Sequence, residues 1–322
     1  MKIEKEFDEL PIPNSAKEHS YTAFNVNEYS HIKIGKDSKE NPSLLIFLPN
    51  QKDNFKVSKY KLYNLKITHN LVCEVITKNK REEHVFSLIS FSGDDIELKK
   101  YFIRICEILI PTLGAQPDKN KITVTVNKFI ELFKALKEPP QKTLQGLWTE
   151  LFLIHQSNNP KKLIKAWHTM PEEKYDFSSE KLRIEVKSSS TGTRVHYFSL
   201  EQLNPPSNCK LFVVSILVNV LSGGISIEEL VNDISKKLSD DTELIEKLNF
   251  ITYSTIGSEL SKIKNICFDY EAAVESLKIY DSEAIPSIQD IPSNIFEVKF
   301  KCSLQNIEPS SETISSLVNN FM

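Results

Sequence analysis

Two carboxylates and a lysine, Asp176, Glu185 and Lys187, lie close together in one segment of the chain. Apolar and polar residues alternate from Leu182 to Lys187, which is the period of a β-strand with one buried face. Glu185 and Lys187 are two residues apart, so they project from the same face, about 7 Å apart along the strand. The strand would therefore present a carboxylate and an ammonium group side by side.

A turn before this strand can bring Asp176 to the same face. The polar residues 178–181 allow the chain to reverse its direction. If Glu180 and Lys181 form a two-residue turn, Asp176 lies directly opposite Glu185. If all of 178–181 form the loop, Asp176 lies diagonal to Glu185, still on that face. Both registers gather the two carboxylates and the lysine.

These residue types suit the hydrolysis of a phosphodiester. One or two Mg²⁺ ions held by carboxylates can offset charge on the phosphate oxygens and activate water. Mg²⁺ prefers oxygen ligands, which Asp176, Glu185 and the backbone carbonyl of Val186 would supply, and Mn²⁺ can substitute for it. Lys187 would orient the attacking water or stabilise the developing negative charge.

The segment resembles the PD-(D/E)XK nuclease superfamily, whose signature is an Asp followed, after a short hairpin, by (D/E)-x-K. Tyr175 stands where the motif name has a Pro. Five segments look more narrowly like a prokaryotic family assigned to this superfamily and associated with restriction and phage-defence gene clusters: GLWTELFLI at 146–154, AWH at 166–168, YDF at 175–177, LRIEVKSSS at 182–190 and RVHYFSLEQL at 194–203. This narrow resemblance is clear over 146–203, and its length and order cover most of the chain.

The resemblance implies an α/β fold with a restriction-endonuclease-like core, in which helices flank a central mixed sheet. It also implies Mg²⁺-dependent hydrolysis of DNA, with Asp176, Glu185 and Lys187 in the signature positions. Possible partners in a defence operon are a methyltransferase or an ATPase/helicase, and cutting both strands would favour a homodimer. The same site chemistry would serve a repair or recombination nuclease, and a non-cutting DNA-binding or assembly subunit could keep the fold.

Two further residues occupy positions that relatives use at the site. Many relatives carry a Glu on the helix before the hairpin, where Glu150 stands, and some add a Gln on the helix after the signature strand, where Gln202 stands. Glu150 could instead be a solvated flank of an apolar helix. Gln202 could instead belong to a capping box with Ser199.

The loop after the signature strand is a candidate contact for nucleic acid. The candidates are Ser188, Ser189, Ser190, Arg194 and His196. Hydroxyls, backbone N–H groups and a guanidinium could together hold a phosphate. The loop could equally be only solvated, and a lone His among aromatic residues is more often structural.

Histidines, lysines and standard motifs in the rest of the chain give little support for another kind of site. His155 and His168 are predicted to be packed and hydrogen-bonded rather than to bind metal. Lys161, Lys162 and Lys165 form a small basic cluster that could approach a DNA backbone or simply be solvated. The chain has no HExxH motif, CxxC motif or nucleotide-binding glycine loop, so zinc hydrolase and ATPase functions have little support.

Hydrophobic periodicity predicts a mixed α/β order of elements. The predicted strands lie at 43–50, 62–77, 84–91, 211–218, 264–270 and 295–304, with a hairpin at 175–188. The predicted helices run from Asp95 to Pro111, from Asn127 to Pro139, onward from Thr143, over 226–238 and 243–249, and at the C-terminus. We predict an N-terminal sheet-and-helix region over 1–120, for DNA recognition or partner docking, and a nuclease core with a C-terminal extension over 121–322.

Composition places the chain among globular proteins with an internal core. Its 322 residues carry 40 basic and 43 acidic side chains, a net charge of −3, so any surface that binds a polyanion must be local. No run approaches the roughly 20 apolar residues of a membrane span. The five cysteines are scattered and suggest a reducing compartment. These features predict a cytoplasmic protein without a membrane partner.

Overall fold

The computed structural model describes residues 2–26, 29–47, 59–62, 64–78, 80–114, 117–135, 144–168, 173–239, 241–256, 266–288, 291–292 and 294–321. The chain divides into two compact units, Met1–Pro139 and Pro140–Met322. The predicted linker KEPPQKT, with its proline helix stop and its Thr143 cap, lies outside the described residues. Within the described part of the chain, no helix is both long and apolar enough to cross a bilayer.

The first unit contains a six-stranded sheet among its described residues. Its strands are β1 (Ser20–Val26), β2 (Tyr29–Lys36), β3 (Pro42–Phe47), β4 (Lys59–Leu62), β5 (Leu65–Ile76) and β6 (Arg81–Phe91). Neighbours in the order β1-β2-β3-β6-β5-β4 are antiparallel, and β1 also pairs in parallel with the end of β5. This extra pairing closes five of the strands into a ring around an apolar core.

Three helices accompany this sheet: α1 (Lys2–Asp8), α2 (Ile96–Leu113) and α3 (Lys119–Ala135). Asp95 caps α2 as predicted, since its carboxylate accepts two backbone N–H groups of the first turn at 2.9 and 3.1 Å. The prediction that Pro111 ends α2 is wrong, because a proline in the last turn removes only one hydrogen bond and the helix continues to Leu113.

Helix α3 begins earlier than the predicted start at Asn127. The Asp118 carboxylate accepts the backbone N–H of Lys121 at 2.8 Å, and Ile122 and Val126 extend the apolar stripe at helical spacing. Helix propensity did not predict this part of the helix, because its β-branched Thr and Val residues have lower helix propensity. Because α3 packs against α2 and β5, the first unit extends beyond residue 120.

The second unit is built on a four-stranded mixed sheet, in the order β13-β10-β8-β7, among its described residues. The strands are β7 (Phe177–Ser178), β8 (Leu182–Ser189), β9 (Val195–Ser199), β10 (Lys210–Leu217), β11 (Val220–Ser226), β12 (Cys267–Phe268), β13 (Lys278–Asp281) and β14 (Lys299–Ser303). Strand β10 runs parallel to β8, whereas β7 and β13 are antiparallel to their neighbours. Two-stranded pairs form between β9 and β14 and between β11 and β12.

Helices surround this sheet, so the expected mixed α/β class is present. They are α4 (Leu144–Gln156), α5 (Pro160–Ala166), α6 (Ile227–Leu238), α7 (Thr242–Ile256), α8 (Tyr270–Ser276) and α9 (Ile314–Asn319), with short 3-10 helices at Leu200–Leu203 and Ser282–Ala284. Helix α4 packs on β8 and α6 packs on α4. Helix α7 is longer than the predicted 243–249, because buried Ile251 and Ile256 continue its apolar face.

Candidate active site

The hairpin of β7 and β8 fixes the position of Asp176. Phe177 pairs with Ile184, and a 2.9 Å backbone hydrogen bond closes the turn around Glu180–Lys181. Of the two registers that the sequence allows, this is the one with the two-residue turn. Asp176 therefore directly precedes Phe177, the first paired residue of β7, and lies opposite Glu185.

Asp176 is held by backbone groups on both of its sides. Its Oδ2 accepts the backbone N–H of Val186 at 2.7 Å, and its carbonyl accepts the N–H of His168 at 3.0 Å. Trp167 forms an antiparallel bridge with Phe177, so the end of α5 runs beside the hairpin. In a strand the N–H and C=O of one residue point to the same side. The Val186 carbonyl, a predicted metal ligand, therefore points toward the Asp176 side.

Glu150 is a buried carboxylate in the middle of α4, with 3% of its surface exposed. It is not the solvated flank that a charged residue beside an apolar stripe suggests. Trp167 Nε1 donates to Glu150 Oε2 at 2.8 Å, and His168 Nε2 lies 3.3 Å from the same oxygen. Burying a carboxylate is unfavourable unless it is hydrogen-bonded, and these two side chains meet that requirement.

Glu150, His168 and Asp176 together form a candidate metal site. Each offers one ligand atom, and the three atoms lie within 4.8 Å of one another. All three residues are buried, with 3%, 6% and 7% of their surfaces exposed. Two carboxylates and an imidazole fit a divalent cation that accepts both oxygen and nitrogen ligands. A histidine beside a tryptophan predicts packing rather than metal binding, and the signal in the sequence that favours a site at His168 is its place in the AWH segment.

Glu185 belongs to a second group, with Lys187 and Gln202. Lys187 Nζ lies 2.7 Å from Glu185 Oε1, and Gln202 Nε2 donates to the same oxygen at 2.9 Å. Gln202 Oε1 lies 3.4 Å from Lys187 Nζ. Glu185 is 4% exposed, so both faces of β8 are covered, although alternation predicted only one buried face.

Gln202 forms the predicted capping box and also reaches Glu185. Its backbone N–H donates to Ser199 Oγ at 3.2 Å, and its Oε1 accepts the Ser199 N–H at 3.1 Å, which is the predicted capping box. The cap leaves Gln202 Nε2 directed at Glu185. The capping interaction therefore orients the amide toward the candidate site.

A family match covers most of the chain. Residues 3–305 match the model of the family described as "Putative PD-(D/E)XK family member, (DUF4420)". The chain belongs to this family. No curated protein and no solved structure gives a significant match. The superfamily resemblance inferred from the sequence is thus confirmed, and members of that superfamily are typically nucleases.

In this PD-(D/E)XK family member, the predicted nucleic-acid contacts in the loop after β8 differ in their exposure to solvent. Ser188 is half-buried, and its Oγ accepts Gln145 Nε2 of α4 at 2.9 Å. Ser189 is buried and bonds within the loop to Thr191 at 3.0 Å. Ser190 is exposed. Of these three serines, only Ser190 has the exposure that a phosphate contact requires.

Arg194 and His196 do not face a ligand as predicted, because both are buried and bond to the protein interior. Arg194 donates to the Ser215 carbonyl at 2.7 Å and also to the Ser276 carbonyl. His196 Nε2 lies 2.8 Å from Ser215 Oγ. His196 occupies an inward position of β9 and Arg194 directly precedes that strand, and both satisfy polar groups of the interior.

His196 gives the protein an expected acid sensitivity. Burial, with the charges of Lys187 and Arg194, lowers the pKa of His196 to about 4. Because the unfolded chain binds this proton near pH 6.5, the stabilising contribution is complete above that pH and is lost as pH falls toward 4. We expect urea unfolding to show a loss of about 2 kcal/mol between pH 7 and pH 5 from this group. His196→Gln should lack that part of the pH dependence; an unchanged pH profile would contradict the assignment.

Proposed function

We propose that this protein is a metal-dependent endodeoxyribonuclease. The observation that carries the proposal is the hairpin register that sets Asp176 opposite Glu185, with Lys187 on the Glu185 face and Glu150 beside Asp176. Asp176, Glu185 and Lys187 stand in the signature positions of the superfamily, and Glu150 stands in the helix position that many relatives use. Their burial and hydrogen bonds preorganise the site, which favours electrostatic stabilisation of a charged transition state.

In this proposal Glu150, His168 and Asp176 hold a divalent ion. When bound, the ion would neutralise charge on a phosphate oxygen and lower the pKa of a water molecule. Trp167 keeps the Glu150 carboxylate oriented through its 2.8 Å hydrogen bond. Such partners of ligands fix their orientation and typically affect metal affinity 10- to 100-fold.

Lys187 contributes the positive charge of the second group. Its ammonium is held 2.7 Å from Glu185, and Gln202 binds the same carboxylate from another direction. Lys187 would orient the attacking water or stabilise the charge that develops on the phosphate. Gln202 is a positioning residue in this scheme, because it contacts Glu185 and Lys187 rather than the reacting atoms.

The imidazole of His168 bears on the identity of the ion. Carboxylate oxygens suit Mg²⁺ and Mn²⁺, whereas imidazole nitrogen is a better ligand for transition metals than for Mg²⁺. We therefore propose that either Mg²⁺ or Mn²⁺ supports the reaction and that Mn²⁺ binds more tightly. A titration followed by thermal unfolding would rank the two ions.

We further propose that the nuclease is the cleavage subunit of a restriction or phage-defence system and acts on DNA as a homodimer. Cutting both strands usually requires two active sites, which supports the dimer. The first unit would recognise DNA or dock a partner such as a methyltransferase or an ATPase/helicase. Its exposed cross-strand pair, Val72 and Val85, supports docking, since exposed apolar groups favour protein contacts. Sedimentation of a strict monomer with and without DNA would contradict the dimer.

Incubation of supercoiled plasmid and linear phage DNA with Mg²⁺, Mn²⁺ or EDTA tests the activity. We expect nicking or linearisation in either metal and none in EDTA. Intact DNA under every condition, with equal DNA binding in EDTA, would instead favour a non-cutting subunit that keeps the fold. A preference for branched over linear DNA would favour the repair or recombination alternative.

The two tryptophans offer a matched test of the Glu150 contact. Trp148 and Trp167 are both buried and both donate a 2.8 Å hydrogen bond, Trp148 to the Ile225 carbonyl and Trp167 to Glu150. Phenylalanine at either position should lower the free energy of unfolding by about 1–3 kcal/mol. Only Trp167→Phe should also slow metal-dependent cleavage, by about 10- to 100-fold. Equal cleavage rates for the two variants would show that Trp167 has no positioning role in the reaction.

A further inference from the structure

The outward face of the β9–β14 ribbon has a composition that the candidate active site does not explain. The two strands are antiparallel, with Tyr197 opposite Lys301 and Ser199 opposite Lys299. Alternate residues of β9 point inward and are buried, including His196 and Phe198. The outward positions are Val195, Tyr197, Ser199, Lys299, Lys301 and Ser303. These six positions include two lysines and no carboxylate, and the exposed Glu297 lies just before β14.

Tyr197 is an unusually exposed aromatic residue for a strand. It is 64% exposed, and Lys301 Nζ lies 4.7 Å from the centre of its ring. Phe296, just before β14, is 79% exposed. Large aromatic side chains are normally covered on at least one face, so exposed rings beside lysines indicate a surface for a ligand that can stack and that carries negative charge.

We propose that this ribbon face binds single-stranded DNA, with a base stacked on Tyr197 and phosphates paired with Lys299 and Lys301. Surfaces that bind single strands combine positive charge along the backbone path with aromatic rings under the bases. A fully paired duplex keeps its base faces inside the stack, so it could use the lysines but not the ring. The inference rests on the proposed function and specifies its substrate as DNA with a single-stranded region.

The ribbon is directly connected to the candidate active site. Phe198, which follows Tyr197 on the inward side, lies with its ring centre 5.3 Å from Lys187 Nζ. Ser199, at the end of the same strand, caps the turn that orients Gln202 toward Glu185. The ribbon that carries Tyr197 on its outward face therefore borders the candidate active site on its inward face.

Fluorescence anisotropy with a labelled oligothymidylate of about 20 nucleotides and a matched duplex, both in EDTA, tests the ribbon without cleavage. We expect Tyr197→Ala to weaken binding of the single strand about ten-fold, whereas Tyr197→Phe should stay within about two-fold of the wild type. Lys301→Gln should reduce the slope of log K against log salt by about 0.7. Lys236→Gln, on the exposed face of α6, is the matched control and should change neither quantity.

The outcomes distinguish failure of the ribbon proposal from failure of the nuclease proposal. If the wild type cuts DNA but Tyr197→Ala binds the single strand as well as wild type does, the ribbon proposal is overturned and the nuclease stands. If the single strand binds through Tyr197 but no metal supports cleavage, the ribbon stands and the nuclease fails. Equal loss of duplex and single-strand binding in Tyr197→Ala, or binding of neither DNA by the wild type, would also overturn the stacking role and favour a protein partner for this face.

Discussion

Replacement of Lys187 by Met should slow DNA cleavage by about 10²- to 10³-fold, the usual effect of removing one preorganised electrostatic contact. Methionine keeps the aliphatic length of the side chain beside the Phe198 ring but removes the ammonium 2.7 Å from Glu185. Gln202 still donates to Glu185 in this variant, so the carboxylate retains a hydrogen bond. The rate of loss of supercoiled plasmid at saturating metal measures the effect.

An exposed lysine that is not part of the candidate active site provides the control for this variant. Lys236 on α6 has a side chain that is 76% exposed, so Lys236→Met should cleave at the wild-type rate. DNA binding in EDTA, measured for both variants, separates a loss of chemistry from a loss of affinity. Wild-type cleavage by Lys187→Met would show that this lysine has no part in the reaction.

The hairpin could be predicted from sequence because its information is local. Alternation over β8 fixed which side Glu185 and Lys187 share, and the polar stretch before it marked the turn. The register remained open between two alternatives, because a turn of two residues and a loop of four place Asp176 on the same face. The closing hydrogen bond of the Glu180–Lys181 turn decides between them.

The rest of the site depends on contacts between distant segments, which periodicity does not report. His168 reaches Glu150 only because the end of α5 runs beside β7 and meets α4. Residue type predicts Arg194 and His196 at a ligand surface, but both are buried. Alternation along β9 turns His196 inward and leaves Tyr197 outside. Polar residues are costly to bury, so their burial becomes predictable only when their partner, here Ser215, is known.

The polar faces of α4 and β8 show why burial of the candidate ligands was not foreseen. A carboxylate within an apolar helix is usually explained by exposure, so the sequence left Glu150 open between a solvated flank and a residue of the site. Trp167 and His168 offset the cost of burying Glu150 by hydrogen bonding to it. They come later in the chain, directly after α5. A sequence pattern can therefore indicate which residues carry charge, but the neutralising partners appear only once the elements pack.

Asparagine at position 176 should abolish both cleavage and the stabilisation of the protein by metal. The amide keeps an oxygen that can accept the Val186 N–H, which Asp176 Oδ2 binds at 2.7 Å, so the hairpin should remain. The ligand group loses one of its two negative charges, and we expect Mn²⁺ to bind at least about 100-fold more weakly. At Mn²⁺ about 100 times its dissociation constant, the wild type should gain about 2.7 kcal/mol, and the variant almost none.

Without metal, we expect Asp176→Asn not to lower the stability of the protein relative to the wild type. Asp176 and Glu150 bring two carboxylates within 4.8 Å in a buried group, so neutralising one of them should leave the metal-free protein at least as stable as the wild type. Thermal unfolding in EDTA and in Mn²⁺ measures both effects, with Asp233→Asn on α6 as a half-exposed control. Equal Mn²⁺ stabilisation of wild type and Asp176→Asn would place the ion elsewhere, even if cleavage were lost. A metal-free variant less stable than wild type would assign Asp176 a structural role, because it would show that the charge of Asp176 stabilises the metal-free protein.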